Sequence, residues 1–167
     1  MKPIVLALCS LFLIFSCRGD SEDVQKIDQL LHIYLKNTDG QDLMNSSLDG
    51  SYSSVSLLDI GGLYDQSSIS GYSLVKDDDA VYYLKYTAGA TRNFVDSVSA
   101  DYKTYRSDII LELTDSDTDS VDLDTISVFY DWTPQVFKVS SFYYNGTQLN
   151  FAASDGDADP NIVNITK

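Results

Sequence analysis

Histidine, cysteine, glutamate and positive charge are all scarce in this chain. His32 is the only histidine among 167 residues, and Cys9 and Cys17 are the only cysteines. Zinc, copper and haem sites of the usual kinds need several imidazole or thiolate ligands, and Ser-His-Asp or Cys-His catalysis needs a histidine beside its nucleophile. A single histidine in the apolar stretch His32-Ile33-Tyr34-Leu35 supports none of these and reads as a filled surface or core position. The 11 lysines and arginines are scattered among 25 acidic residues. No basic patch is formed to hold a phosphate backbone or an anionic lipid surface, so nucleic-acid binding is disfavoured. No Gly-rich phosphate loop occurs. Long hydrophobic runs are missing as well: residues 4–15, interrupted by Cys9 and Ser10, make up little more than half of the roughly 20 apolar residues that a spanning helix requires.

That short apolar run, preceded by Lys2 and closed by Cys17, Arg18, Gly19 and Asp20, has the form of a secretory signal. Its junction, Ile14-Phe15-Ser16-Cys17, resembles the bacterial lipobox, in which a small residue precedes the cysteine that receives a diacylglycerol before cleavage; Phe15 is bulkier than the residue usual at its place. The resemblance implies a signal peptide over residues 1–16, lipidation of Cys17 and a lipidated tether over 17–28, leaving 29–167 as a single domain. Cys9 leaves with the signal and Cys17 carries lipid, so the mature chain contains no disulfide. Membrane contact then comes from the lipid alone. Arg18-Gly19-Asp20 is read as a chance tripeptide.

What the chain has in excess is aspartate. Glu22 and Glu112 are the only glutamates, so nearly all of the 25 acidic residues are Asp, many beside Ser, Thr or Gly. Without Lys2, ten basic residues face those 25. Aspartate and serine compete with helical hydrogen bonding and favour turns, which argues for a β-rich fold with polar connections.

Period-two patterns agree. Apolar segments at 30–35, 55–60, 72–75 and 81–87 are separated by turn-forming residues. In 81–87 the alternation sends Tyr82, Leu84 and Tyr86 inward and Val81, Tyr83 and Lys85 outward; Ile109, Leu111 and Leu113 point inward, as do Ile126, Val128, Tyr130 and Trp132. Segments 136–144 and 147–151 flank Asn145-Gly146, a dipeptide suited to a type I′ hairpin turn. Val24, Ile27 and Leu31 could instead share one face of a short helix. Residues 88–106 fit neither strand nor helix and are read as a long loop, and 162–165 as an edge strand. About eight short strands without βαβ spacing predict an all-β, antiparallel β-sandwich of immunoglobulin-like or transthyretin-like kind, with an open barrel as the alternative.

The stretches 37–45, 82–92, 122–126 and 144–146 together resemble small acidic hypothetical lipoproteins of Bacteroidota, a family without an assigned activity. The resemblance spans most of the mature domain through turn-and-strand patterns, and it implies a cell-envelope location on the outer membrane, at its periplasmic or surface face; Asp20, Glu22 and Asp23 fit loosely a signal for surface display. It also implies O-glycosylation at Asp-Ser/Thr-apolar tripeptides, which makes Ser97, Ser120 and Thr125 the candidate acceptors.

Three chemistries remain. Asp115, Asp117 and Asp119 reproduce the opening spacing of a calcium loop, but Ser120 and Ile126 stand where an EF-hand needs Gly and Glu, so only a looser calcium site stays open and no other cofactor is expected. Tyr83, Tyr102, Tyr105 and Tyr143, if they face outward together, would suit stacking against sugars or a protein partner. A pair among the aspartates could serve glycoside hydrolysis, although nothing marks out an acid of raised pKa. The sequence reading is a non-enzymatic, lipid-anchored envelope module that binds a protein or glycan; a small carboxylate-dependent hydrolase and a purely structural lipoprotein are the alternatives.

Overall fold

The computed structural model describes residues 24–64, 66–115, 117–152 and 160–167. The signal 1–16, Cys17 and most of the tether lie outside them. Among the described residues, all the regular structure is strand. In chain order the strands are β1 Lys26–Asp28, β2 Leu31–Lys36, β3 Tyr52–Asp59, β4 Ser67–Ser68, β5 Tyr72–Lys76, β6 Tyr82–Tyr86, β7 Asn93–Ser99, β8 Tyr102–Asp115, β9 Val121–Trp132, β10 Val136–Tyr144, β11 Thr147–Leu149 and β12 Asn161–Thr166.

They form two mixed sheets. The larger runs β1-β10-β9-β8-β3-β4, with β11 on β10 and β7 on β8, and the smaller runs β12-β2-β6-β5. Most pairings are antiparallel, but β1 lies parallel to β10 and β12 parallel to β2. One hydrophobic core takes side chains from both sheets: Ile109, Leu111 and Leu113 of β8 and Ile126 and Val128 of β9 from one, Leu31, Ile33, Leu35, Leu84, Val163 and Ile165 from the other. The inward alternations read from the sequence in β6, β8 and β9 hold, with Leu84, Tyr86, Leu113 and Val128 all buried. The hairpin at Asn145-Gly146 holds too: their φ values are +47° and +77°, and Tyr144 pairs with Thr147. Residues 162–165 fall in β12, an edge strand of the smaller sheet.

Two readings are corrected. Residues 88–106 are not one long loop; they contain β7 and the first five residues of β8. All seven residues of β7 are exposed, so no buried face imposed an apolar alternation for the sequence to display. Residues 26–28, assigned to the tether or to a short helix, pair with Val136–Lys138 as β1. A three-residue strand is too short to carry a period.

Strand length positions the site. At about 3.3 Å per residue, the 14 residues of β8 extend some 46 Å, whereas the six-residue strands of the smaller sheet extend about 20 Å. The smaller sheet cannot cover the whole inner face of the larger one. An arm built from β7, the start of β8, the end of β9, the start of β10 and β1 extends from the core, which still buries its Tyr130, Phe137 and Val139.

Candidate functional site

On that arm, cross-strand partners place two rows of side chains on the inner face. Ile27, Phe137, Trp132, Lys103 and Ser97 are successive partners across β1, β10, β9, β8 and β7. Val139, Tyr130, Tyr105 and Phe94 form the neighbouring row. Directly opposed residues share a face, so the inner face of the arm is aromatic. Tyr130 and Phe137 stack with centroids 5.3 Å apart, Phe94 meets Tyr105 edge-on at 6.0 Å, and Tyr105 lies 6.4 Å from Phe137.

Cations sit on these rings. The Arg92 guanidinium lies 4.8 Å from the Phe137 centroid and 5.2 Å from that of Tyr130, while Lys103 Nζ is 4.6 Å from Trp132. Between them is a groove of about 360 Å³ lined by Gln25, Ile27, Gln29, Arg92, Tyr105, Trp132 and Phe137. That volume is at the small end of the range of roughly 300–1,000 Å³ for ligand sites. Ile27 and Phe94, about 60% exposed, mark the edges of the same surface.

Arg92 is held from three sides. It donates to Gln29 Oε1, it stacks on two rings, and its neighbour Thr91 gives its amide at 3.0 Å and its hydroxyl at 2.6 Å to Asp59, buried at the end of β3. Ala90 N donates to the Tyr86 hydroxyl at 3.2 Å, and Asn93 Nδ2 to the Gly61 carbonyl at 3.1 Å. The Gln25 amide donates to the Thr133 carbonyl, closing one end of the groove. The connection between β6 and β7 is thus pinned to the core, and a guanidinium with one open face is presented to the groove.

The four tyrosines singled out from the sequence do not gather on one face. Tyr105 is in the groove. Tyr102 is on the opposite face of the arm, beside a hollow of about 280 Å³ lined also by Asp131, Thr133, Val136 and Lys138, and its hydrogen bond with Asp131 raises its pKa. Tyr143 shares that outer face but packs on Phe129 at 5.4 Å; Tyr143, Ser127 and Asp108 form one row, and Asp108 is six residues, about 20 Å, along β8 from Tyr102. Tyr83 belongs to the smaller sheet, its ring tilted against those of His32 at 4.3 Å and Tyr34 at 5.2 Å. His32 therefore fills a half-buried outer position of β2, where desolvation, followed by the charge of Lys85, lowers its pKa.

The acidic candidates serve turns. Asp115 Oδ1 accepts the amides of Asp117 and Thr118 and the Thr118 hydroxyl, and these bonds lower its pKa. Asp119 occupies the left-handed region at φ +54°. Among the described residues no three His, Cys, Asp or Glu side chains gather as a metal site. The buried carboxylates are engaged as well: Asp42 accepts the amides of Met44 and Tyr82, Asp59 those of Gly61 and Thr91. Asp124 accepts Tyr144 Oη at 2.6 Å, Asn145 Nδ2 at 2.7 Å and Lys167 Nζ. Of the glycosylation candidates, Ser97 and Thr125 are exposed within strands and Ser120 is exposed in the turn before β9; Ser97 Oγ donates to the Ser99 carbonyl and Thr125 Oγ1 to Asn145 Oδ1.

Arg92, Trp132 and Phe137 were missed as a site, because Arg92 fell in a stretch read as loop and the two rings in stretches read as core strands. A signal was present. Along the inner face of β8 the residues pass from Leu113, Leu111 and Ile109 through Ser107 to Tyr105 and Lys103, and along β9 from Ile126 and Val128 to Tyr130 and Trp132. The change from aliphatic to aromatic and cationic marks the passage from the fully buried Ser107 and Tyr130 to the half-buried Tyr105, Lys103 and Trp132. Comparison with family models, curated proteins and solved structures finds no match to this chain.

Proposed function

We propose that this protein is a non-enzymatic binding module of the bacterial cell envelope that takes a glycan in the aromatic groove of its arm. The two sheets, β1 included, would pack as a β-sandwich of immunoglobulin-like or transthyretin-like kind within a single domain, behind a cleaved signal 1–16. Cys17 would carry the lipid that holds the domain at the outer membrane.

The observation that carries this reading is a sheet face on which Tyr105 and Trp132 stay half-exposed beside the buried rings of Tyr130 and Phe137, with planar polar groups next to them. Sugar rings stack their C–H faces on Trp and Tyr, and their hydroxyls pair with amides and guanidinium groups; Trp132 and Tyr105 offer the rings, Gln25, Gln29 and Arg92 the polar groups. A stable protein interface buries about 800 Å² on each partner, much more than a seven-residue groove provides. A small ligand fits its scale better. A hydrolase finds less support, since Asp42, Asp59 and Asp124 are each committed to hydrogen bonds that hold the fold.

The tether would keep the groove near its membrane. Gln25 is eight positions after Cys17, and a fully extended chain of that length reaches at most about 29 Å.

Trp132 is the only tryptophan, so its emission reports on the groove directly. The test is a glycan array probed with the full chain in mild detergent, followed by fluorescence titration of each hit. Binding that shifts Trp132 emission and is weakened at least tenfold in Tyr105→Ala supports the reading. A blank array, or hits that leave both Trp132 and the Tyr105→Ala affinity unchanged, refutes it.

A further inference from the structure

Within a protein of formal charge −14, the inner face of the arm has the opposite sign. The strand carboxylates of the arm all point away from the groove. Asp28 pairs with Lys138, Lys138 with Asp131, Asp131 with Thr104 and Thr104 with Asp96, one continuous row on the outer face. The inner rows contain no acid and one cation, Lys103, to which the connection between β6 and β7 adds Arg92. Resting the two cations on rings leaves their charge intact and keeps the groove's positive field beside its stacking surface.

We infer that the groove selects an acidic glycan, a chain of uronate-type sugars, whose ring stacks between Trp132 and Tyr105 and whose carboxylate is taken by Arg92, while Lys103, seated on Trp132 beside the groove lining, adds to the positive field. This rests on the glycan reading above and narrows it. The guanidinium is oriented before the ligand arrives, by Gln29 and by the Asp59–Thr91 contact, so little side-chain entropy is lost on binding. Its planar donors match a carboxylate in two parallel hydrogen bonds, roughly twice as strong as neutral ones. The acidic remainder of the surface repels such a chain everywhere else, and that repulsion confines binding to this one face.

The test compares short oligouronates of galacturonate, glucuronate and mannuronate with their methyl esters, which retain the ring and lose only the charge. Trp132 emission is read in the full chain in mild detergent. For at least one of the three, the acid is expected to bind about tenfold tighter than its ester and to lose that advantage as salt is raised. Arg92→Gln and Lys103→Gln should each bring the acid towards the ester's affinity; Lys103, half-buried on its strand, is the variant that keeps the fold intact should Arg92→Gln loosen the arm. Equal binding of acid and ester overturns this inference and leaves the glycan reading standing. So does a positive array from which every oligouronate is missing, or an acidic peptide that competes as well as the oligouronate. A blank array removes the glycan reading itself.

Discussion

The Asp59 carboxylate at the end of β3 takes the Thr91 hydroxyl at 2.6 Å and the Thr91 amide at 3.0 Å, and through these contacts the larger sheet helps to hold the segment that presents Arg92 to the groove. Fold and candidate site are joined there. Asp59→Ala leaves two half-buried amides and a half-buried hydroxyl without their acceptor, at about 1 kcal/mol for each group, the low end of the cost of an unsatisfied group. The expected loss is about 3 kcal/mol, a fall in Tm of roughly 6–12 °C for a domain this size. Asp59→Asn, which retains an acceptor oxygen, should lose less. A Tm for Asp59→Ala within 2 °C of the parent would show that the contact holds nothing.

A second buried carboxylate gives a pH dependence. Burial acts to raise the Asp124 pKa, but hydrogen bonds from Asn145, Lys167 and Tyr144 together bring it below its ordinary 3.8. Desolvation likewise opposes the charge on Lys167, and its bonds to Asp122 and Asp124 raise its pKa above 10.5. A depressed carboxylate contributes stability that is complete above pH 3.8 and is lost as pH falls through its folded value; a raised amine contributes stability present below 10.5 and lost only as pH climbs past its folded value. Denaturant titrations should therefore show a plateau with a steep acid limb. In Asp124→Asn the plateau should drop by about 2 kcal/mol and the acid limb should flatten. An acid limb of unchanged slope would assign that proton uptake to other carboxylates.

His32 offers a cleaner titration, being the only histidine. Its pKa is lowered first by desolvation, with Tyr83 packed 4.3 Å away, then by the charge of Lys85. Folding favours its neutral form, so stability present above pH 6.5 should decline as pH falls towards the folded value and level off beneath it. The ring-proton NMR titration should give a midpoint below 6.5. A midpoint at or above 6.5 would mean that the ring is hydrated in solution.

For calcium, the expected result is no effect. Asp115 spends one carboxylate oxygen on three hydrogen bonds within its turn, and recruiting it to a cation would disrupt the β8–β9 hairpin. Ligand at about 100 times its dissociation constant would add roughly 2.7 kcal/mol, several degrees of Tm. Midpoints in excess chelator and in millimolar calcium should coincide; a rise with calcium that matched magnesium does not reproduce would establish a site.

Wherever one face of a strand is buried, the sequence is legible. Leu111 and Leu113 in β8, Ile126 and Val128 in β9, and Leu84 and Tyr86 in β6 display their inward parity as alternating letters, because burial sorts side chains with the period of the pleat. Asn145-Gly146 is legible for a local reason, the cost of positive φ for other residues. The strand β7 is not legible. Held by hydrogen bonds to β8 while both its faces meet solvent, Asn93–Ser99 leaves no apolar trace.

The chain's letters by themselves determined the strand-rich class, the inward faces of the long strands and the scarcity of positive charge, since each depends on residue type and period alone. Only the tertiary structure decided that β1 and β12 run parallel to their partners, that β8 outreaches the smaller sheet, and that Arg92 meets Phe137 across 45 residues of chain. The reason is physical. A groove exists where one sheet ends before another, and relative strand length, register and the anchoring of a connection by a distant carboxylate are properties of pairs of segments that no single segment records.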